Sequence, residues 1–204
     1  MVLFLGITWI EGKFPENYIW IYFAKIAVTL AALAYYRETW KDIRFEPKWI
    51  APSVALGLVL CLLWVWIDKT ITYPHFGERT AYDPFAKISG DALRAAFFAI
   101  RFFGLVVVVP VMEELFWRSF LLRYATKSDF WKLPIGVFSG TALLIVSAIF
   151  AAAHPEWLVA AIFALAMGLL LRYSKSVFAC VVAHAATNLA LGIYVVARSD
   201  WIYW

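Results

Sequence analysis

Apolar stretches long enough to cross a bilayer recur along almost the whole chain, and they restrict the fold more than any other feature. Within lipid every backbone N–H and C=O must be satisfied internally, so only helices and closed barrels span a membrane. A helix needs roughly 20 apolar residues to do so. Six segments approach or reach that length, at about 18–36, 50–67, 93–124, 135–153, 157–172 and 177–197. The composition agrees: 64% of residues are apolar and 16% charged, against roughly 45–50% and 25% in soluble domains. The expectation is an all-α, polytopic transmembrane bundle of about six membrane segments. It forms one integral domain over residues 1–204, with a motif-bearing core at about 93–197.

The ends and loops fit that reading. Met1 to Ile10 has neither a basic start nor a small-residue cleavage site before Glu11, Lys13 and Pro15, so a retained N-terminus is expected. Tyr18, Trp20, Tyr35, Tyr36, Trp49, Trp64, Trp66, Trp131, Trp157 and Tyr173 fall near segment ends, as in an interfacial aromatic belt. Lys25 lies inside the first segment and either snorkels or faces the bundle. Cys61 and Cys180 sit in apolar spans, where a free thiol behaves as a small hydrophobe. Residues 37–48 read as a short polar loop. The connection 68–91, with Pro74, Gly77, Pro84 and Gly90, reads as an irregular loop or a short surface helix with turns, in which His75 faces solvent or headgroups.

The net charge of +4 is spread over loops, which suits anionic headgroups and not nucleic acid. Nine loop Lys and Arg residues fall on the side of 37–48, 123–132 and 172–175. Six (Lys13, Lys69, Arg79, Lys87, Arg94 and Arg198) fall on the other, which places both termini outside. The short length and compact loops read as a prokaryotic plasma-membrane protein.

Inside the third apolar segment stands Glu113-Glu114-Leu115-Phe116-Trp117-Arg118. Ionisable groups are costly in a membrane and mark a functional site by default. Glu114 and Arg118 are four apart with the Glu on the N-terminal side, the favourable same-face ion pair. Glu113 points about 100° away. The pairing of Glu114 with Arg118 leaves Glu113 available for chemistry. Pro110 predicts a kink or restart just ahead, which would put Glu113 in a first helical turn favoured by the helix dipole.

Two further segments carry polar groups. His154 ends the run Phe150-Ala151-Ala152-Ala153 and precedes Pro155, while His184 and Asn188 share a helix face among alanines. The least costly way to satisfy three polar spans is one shared wet pocket. A carboxylate beside a His can take a proton from water, and a His with an Asn can donate to a developing oxyanion. That is the equipment for peptide hydrolysis without a covalent intermediate. No serine has a nucleophile-elbow context. Glu113, His154 and His184 are ligand types that could hold zinc, but no H-E-x-x-H pair is present, so no cofactor is expected and the metal remains the alternative.

Glu113-Glu114-x-x-x-Arg118, then Phe150-x-x-x-His154, then His184-x-x-x-Asn188, in this order on successive hydrophobic segments, resembles the CAAX protease and bacteriocin-processing (Abi) family. Its eukaryotic members are the type II CAAX prenyl endopeptidases. The resemblance covers roughly 110–188. It implies an intramembrane endopeptidase of the glutamate type, acting on a membrane-associated or lipidated peptide or protein. It also implies that Glu113 and His154 activate water, that His184 and Asn188 stabilise the oxyanion, and that Glu114 and Arg118 support them. Residues 1–90 carry no assignable motif.

Two rivals from other classes remain: a non-enzymatic immunity or scaffold protein of the same fold, and a small proton-relaying transporter, for which no internal repeat speaks. One geometric demand follows. A fourth helix beginning at Ile135 would put His154 about 28 Å from its start, with His184 only about 10 Å into the last span from the same side. A start near Gly140 brings the two together.

Overall fold

The computed structural model describes residues 1–77 and 81–204, most of which are helical. Arg79, counted above among the loop charges, lies outside the described residues. We label the helices α1 (Val2–Lys13), α2 (Tyr18–Tyr35), α3 (Ile50–Thr70), α4 (Asp91–Thr126), α5 (Gly140–Ala152), α6 (Trp157–Ser174) and α7 (Val177–Arg198). Five of the described helices, α2, α3, α4, α6 and α7, are long and apolar enough to cross a membrane. The expected sixth segment is present as the shorter apolar helix α5.

The 13 residues of α5 span only about 20 Å, short of the roughly 30 Å hydrocarbon core. The expected start at Ile135 is therefore corrected to Gly140. Gly136 adopts φ +84°, and Val137 N–H closes a turn on Pro134 C=O at 3.2 Å. Ser139 then caps the helix, its Oγ accepting from Ala142 N–H at 3.0 Å. Pro155, which lacks an N–H, bars continuation at the other end. With the late start, His154 follows a 13-residue helix and its ring packs between Phe150 and Trp64.

No break occurs at Pro110. α4 runs through as one 36-residue helical span, and it absorbs the proline by widening into π turns over Gly104–Val108 before α-helical geometry resumes at Val109. Proline cannot donate to the preceding turn and crowds it, and a π turn relieves both. A second π segment covers Leu115–Leu121. Since the helix does not restart, the expected first-turn dipole at Glu113 does not arise.

α1 returns antiparallel along α2 and is pinned there by a buried ion pair between Glu11 and Lys25. Lys25 also reaches Thr8 Oγ1 at 3.3 Å and lies over the Phe4 and Tyr22 rings. Lys25 therefore faces the bundle and does not snorkel. Residues 37–42 form 3₁₀ turns in place of an open loop, and Asp42 joins Arg123 of α4 at 2.8 Å. The longest connection contains one helical turn, Pro84–Lys87, with Gly77 and Gly90 at positive φ.

α3 and α7 approach closely at Gly57. Thr187 Oγ1 donates to Gly57 C=O between them at 3.0 Å, and a side chain at position 57 would run into the Ala183 carbonyl and the Ala186 methyl. Small residues at such a crossing let backbones approach where lipid offers no hydrophobic drive. The main core gathers Trp117, Leu122, Phe150, Phe163, Met167, Leu171 and Cys180, and Cys61 is buried as well.

Candidate active site

α4 and α7 supply the centre of the site. Glu114 is fully buried, and Arg118 one turn on places Nε 3.2 Å from its Oε2. This is the four-residue pairing expected from the spacing. The structure adds a partner: Glu114 Oε1 accepts a hydrogen bond from His184 Nδ1 at 2.8 Å. A carboxylate only accepts, so the His184 proton sits on Nδ1 and the ring orientation is set from α4. Arg118 also lies over the Phe150 ring, 5.2 Å from its centroid.

Glu113 is a contrasting neighbour. It is 8% exposed, forms no ion pair among the described residues, and its Oε2 is sealed without a hydrogen-bond partner. Trp117, one turn along the same helix, has an unpartnered indole N–H and packs edge-on against Phe150 at 5.4 Å. Unpaired polar atoms are rare in a protein interior. Glu114 Oε2 and Arg118 Nε and Nη2 on the same stretch of α4 are also without a hydrogen bond, and others occur elsewhere, at Glu11, Ser53 and Arg101 among them.

His154 comes from the turn after α5. Its Nδ1 donates to Phe150 C=O at 2.8 Å and its ring stacks on the Phe150 ring at 4.4 Å. In the neutral ring this leaves Nε2 as a free lone pair. Trp64 of α3 closes one side at 6.1 Å. Phe163 of α6 bridges the two histidines, 5.8 Å from Phe150 and 5.0 Å from the His184 ring. His154 thus packs on the Phe150 ring that also meets Trp117, one turn along α4 from Glu113.

Asn188, one turn beyond His184, donates from Nδ2 to Leu105 C=O at 2.9 Å. That carbonyl belongs to the π turns ahead of Pro110, where the widened ladder leaves an acceptor for a side chain. One amide hydrogen of Asn188 is committed there and the second is not.

The sequence-predicted residues therefore fall into one directly bonded cluster (Glu114, Arg118, His184), with Glu113, His154 and Asn188 arranged around it through aromatic rings and backbone. Trp64 and Phe163 were not foreseen. Nothing local distinguishes them from other apolar residues of their helices, so only the packing reveals them. His75, read as a solvent-facing loop residue, instead places Nε2 2.7 Å from Asp68. Among the described residues no group of three or more His, Cys, Asp or Glu side chains is placed to hold a metal ion, so Glu113, His154 and His184 do not form a ligand set.

A groove of about 910 Å³ lies between α1, α2 and α4, and its lining includes neither of the two glutamates nor His154, His184 or Asn188. Val28, Ala32, Leu33, Met112, Leu115 and Phe116 make its apolar walls, and Glu38, Lys41, Asp42, Ser119 and Arg123 its polar end. Met112 and Leu115 flank the two glutamates in sequence.

Residues 95–190 match a family described as Rce1-like, type II CAAX prenyl endopeptidase. The match takes in Glu113, Glu114, Arg118, His154, His184 and Asn188, and it bears out over those residues the family resemblance carried by the motifs. No curated protein and no solved structure matches the chain.

Proposed function

We propose that this multi-pass membrane protein, CAAX-protease-like over residues 95–190, is an intramembrane endopeptidase of the glutamate type. It hydrolyses a peptide bond in a membrane-associated or lipidated substrate. The observation that carries the reading is the contrast between adjacent carboxylates: Glu114 is ion-paired with Arg118 and hydrogen-bonded by His184, while Glu113 forms no salt bridge among the described residues and feels only the more distant charge of the Met1 amine. A structural role accounts for the first glutamate and leaves the second unexplained.

In this reading Glu113 accepts a proton from water as the oxygen attacks the scissile carbonyl, with the free Nε2 of His154 orienting the water. The negative charge that develops on the carbonyl oxygen is met by Asn188 through its uncommitted amide hydrogen and by His184 through Nε2. Donation from Nε2 requires the doubly protonated ring, for which Glu114 is the counter-charge on Nδ1. Arg118 balances Glu114 from its other oxygen. Collapse of the tetrahedral species returns the proton from Glu113 to the leaving amine. The apolar groove with its polar end suits a substrate segment that arrives from the bilayer.

The test is a comparison of membrane peptidomes from cells expressing the wild type or Glu113→Gln at matched levels. Peptides truncated only with the wild type are expected, and their ends give the cleavage sequence. Equal turnover of an identified substrate by both proteins would overturn Glu113 as the base. Identical peptidomes together with a partner that copurifies equally with both would favour the immunity or scaffold reading.

A further inference from the structure

We propose that Asp68 is a positioning residue for His154, acting through the extended strap 72–77. The inference rests on the reading of His154 as the partner of Glu113 in activating water.

The turn that carries His154 lies between a short α5 and the start of α6, and on its inner side Ala153 N–H bonds Phe150 C=O at 3.1 Å, His154 N–H bonds Ala151 C=O at 3.0 Å and the His154 ring bonds Phe150 C=O. Its outer side is held by the strap. Phe76 N–H donates to Pro155 C=O at 3.1 Å, and Trp157 Nε1–H donates to Pro74 C=O at 2.7 Å. The Trp157 ring lies 5.9 Å from each of Tyr73 and Phe76.

The strap hangs from Asp68. Tyr73 Oη and His75 Nε2 both reach Asp68 Oδ1, at 3.2 and 2.7 Å, and the Tyr73 and His75 rings pack at 4.6 Å. Asp68 sits in the last turn of α3 with its side chain 5% exposed, so the helix backbone fixes its position. Its second oxygen accepts from Tyr203 Oη of the C-terminal turn at 2.6 Å. Gly77, at φ +75°, ends the strap. The route from Asp68 to the His154 turn is therefore continuous: α3, the Oδ1 hydrogen bonds, the strap, and the Pro155 and Trp157 contacts. A displacement of about 1 Å in a catalytic group can cost about 10²-fold in rate, so a clamp on the outer side of this turn bears on chemistry and not only on loop order.

Hydrogen exchange by residue and steady-state kinetics on the full chain test this with Asp68→Ala, Trp157→Phe and Tyr203→Phe. Asp68→Ala and Trp157→Phe are expected to raise amide exchange at Ala153 and His154 about tenfold. Both should lower kcat at near-constant KM and leave the amides of 183–188 protected. Tyr203→Phe, which removes the hydrogen bond to the other oxygen and leaves the Oδ1 bonds in place, should change neither readout. Faster exchange confined to 72–77, with Ala153 and His154 as protected as in the wild type, would overturn the proposal. Exchange that spreads as expected while His154→Ala keeps wild-type turnover would uphold the clamp and remove the catalytic reading of His154 instead.

Discussion

His184 Nδ1 lies 2.8 Å from Glu114 Oε1, joining two residues 70 apart in sequence across the packed faces of α4 and α7. The bond makes one buried carboxylate the common partner of a guanidinium and an imidazole. It also divides the two adjacent glutamates into a held one and an unpaired one.

Arg118→Ala should destabilise the protein by about 3–5 kcal/mol, because it leaves a fully buried carboxylate short of its main counter-charge. Denaturant unfolding in detergent micelles measures this. The double variant Arg118→Met, Glu114→Leu should recover part of the loss, since an apolar pair of similar volume replaces a buried ion pair at little cost.

Glu113→Gln should abolish turnover while unfolding at the wild-type temperature or above it. The Glu113 Oε2 has no hydrogen bond to lose and the Met1 amine is no closer than a distant counter-charge, while the amide lowers the cost of a buried acid. A fall in thermal stability as large as that of Arg118→Ala would mean that Glu113 is structural.

Asn188→Ala should lower kcat by about 10²–10³-fold, the usual cost of losing one oxyanion donor. It also strands the Leu105 carbonyl, at about 1–3 kcal/mol. Parallel kinetics and unfolding separate the two effects: a stability loss with unchanged kcat assigns Asn188 to holding the π turns and nothing more.

Gly57→Val should force α3 and α7 apart at the Ala183 carbonyl, costing about 1–3 kcal/mol through overpacking. Because the same crossing aligns His184 with Glu114, turnover should fall with it. Crosslinking yield between cysteines placed on the two helices reports the separation.

Exhaustive chelation should leave turnover unchanged, since the described acidic and imidazole groups are not gathered as a ligand set. Activity lost on chelation and restored by a divalent cation would contradict this.

Much of the site was legible because membrane burial makes polar residues conspicuous. Glu113, Glu114, Arg118, His154, His184 and Asn188 each interrupt apolar runs, and the four-residue spacing of Glu114 and Arg118 already implied their ion pair. His154 shows where local reading stopped. Its height depends on where α5 begins, and Gly136 and Ser139 decide that against a run of apolar residues that would otherwise read as helix. Pro110 shows the same from the other side. The residue type implied a disruption, but whether a long helix breaks or widens depends on the neighbours that brace it.

The sequence by itself determined that this chain is a polytopic helical membrane protein, which polar residues it spends inside the bilayer, and the family they resemble. These follow from transfer free energies and helical periodicity, which act locally. Only the tertiary structure decided that His184 bonds Glu114, that Phe150 and Phe163 bridge the two histidines, and that the strap from Asp68 closes on the His154 turn. Each of these joins residues far apart in the chain, and such contacts are selected by close packing of whole helices, which no single segment encodes.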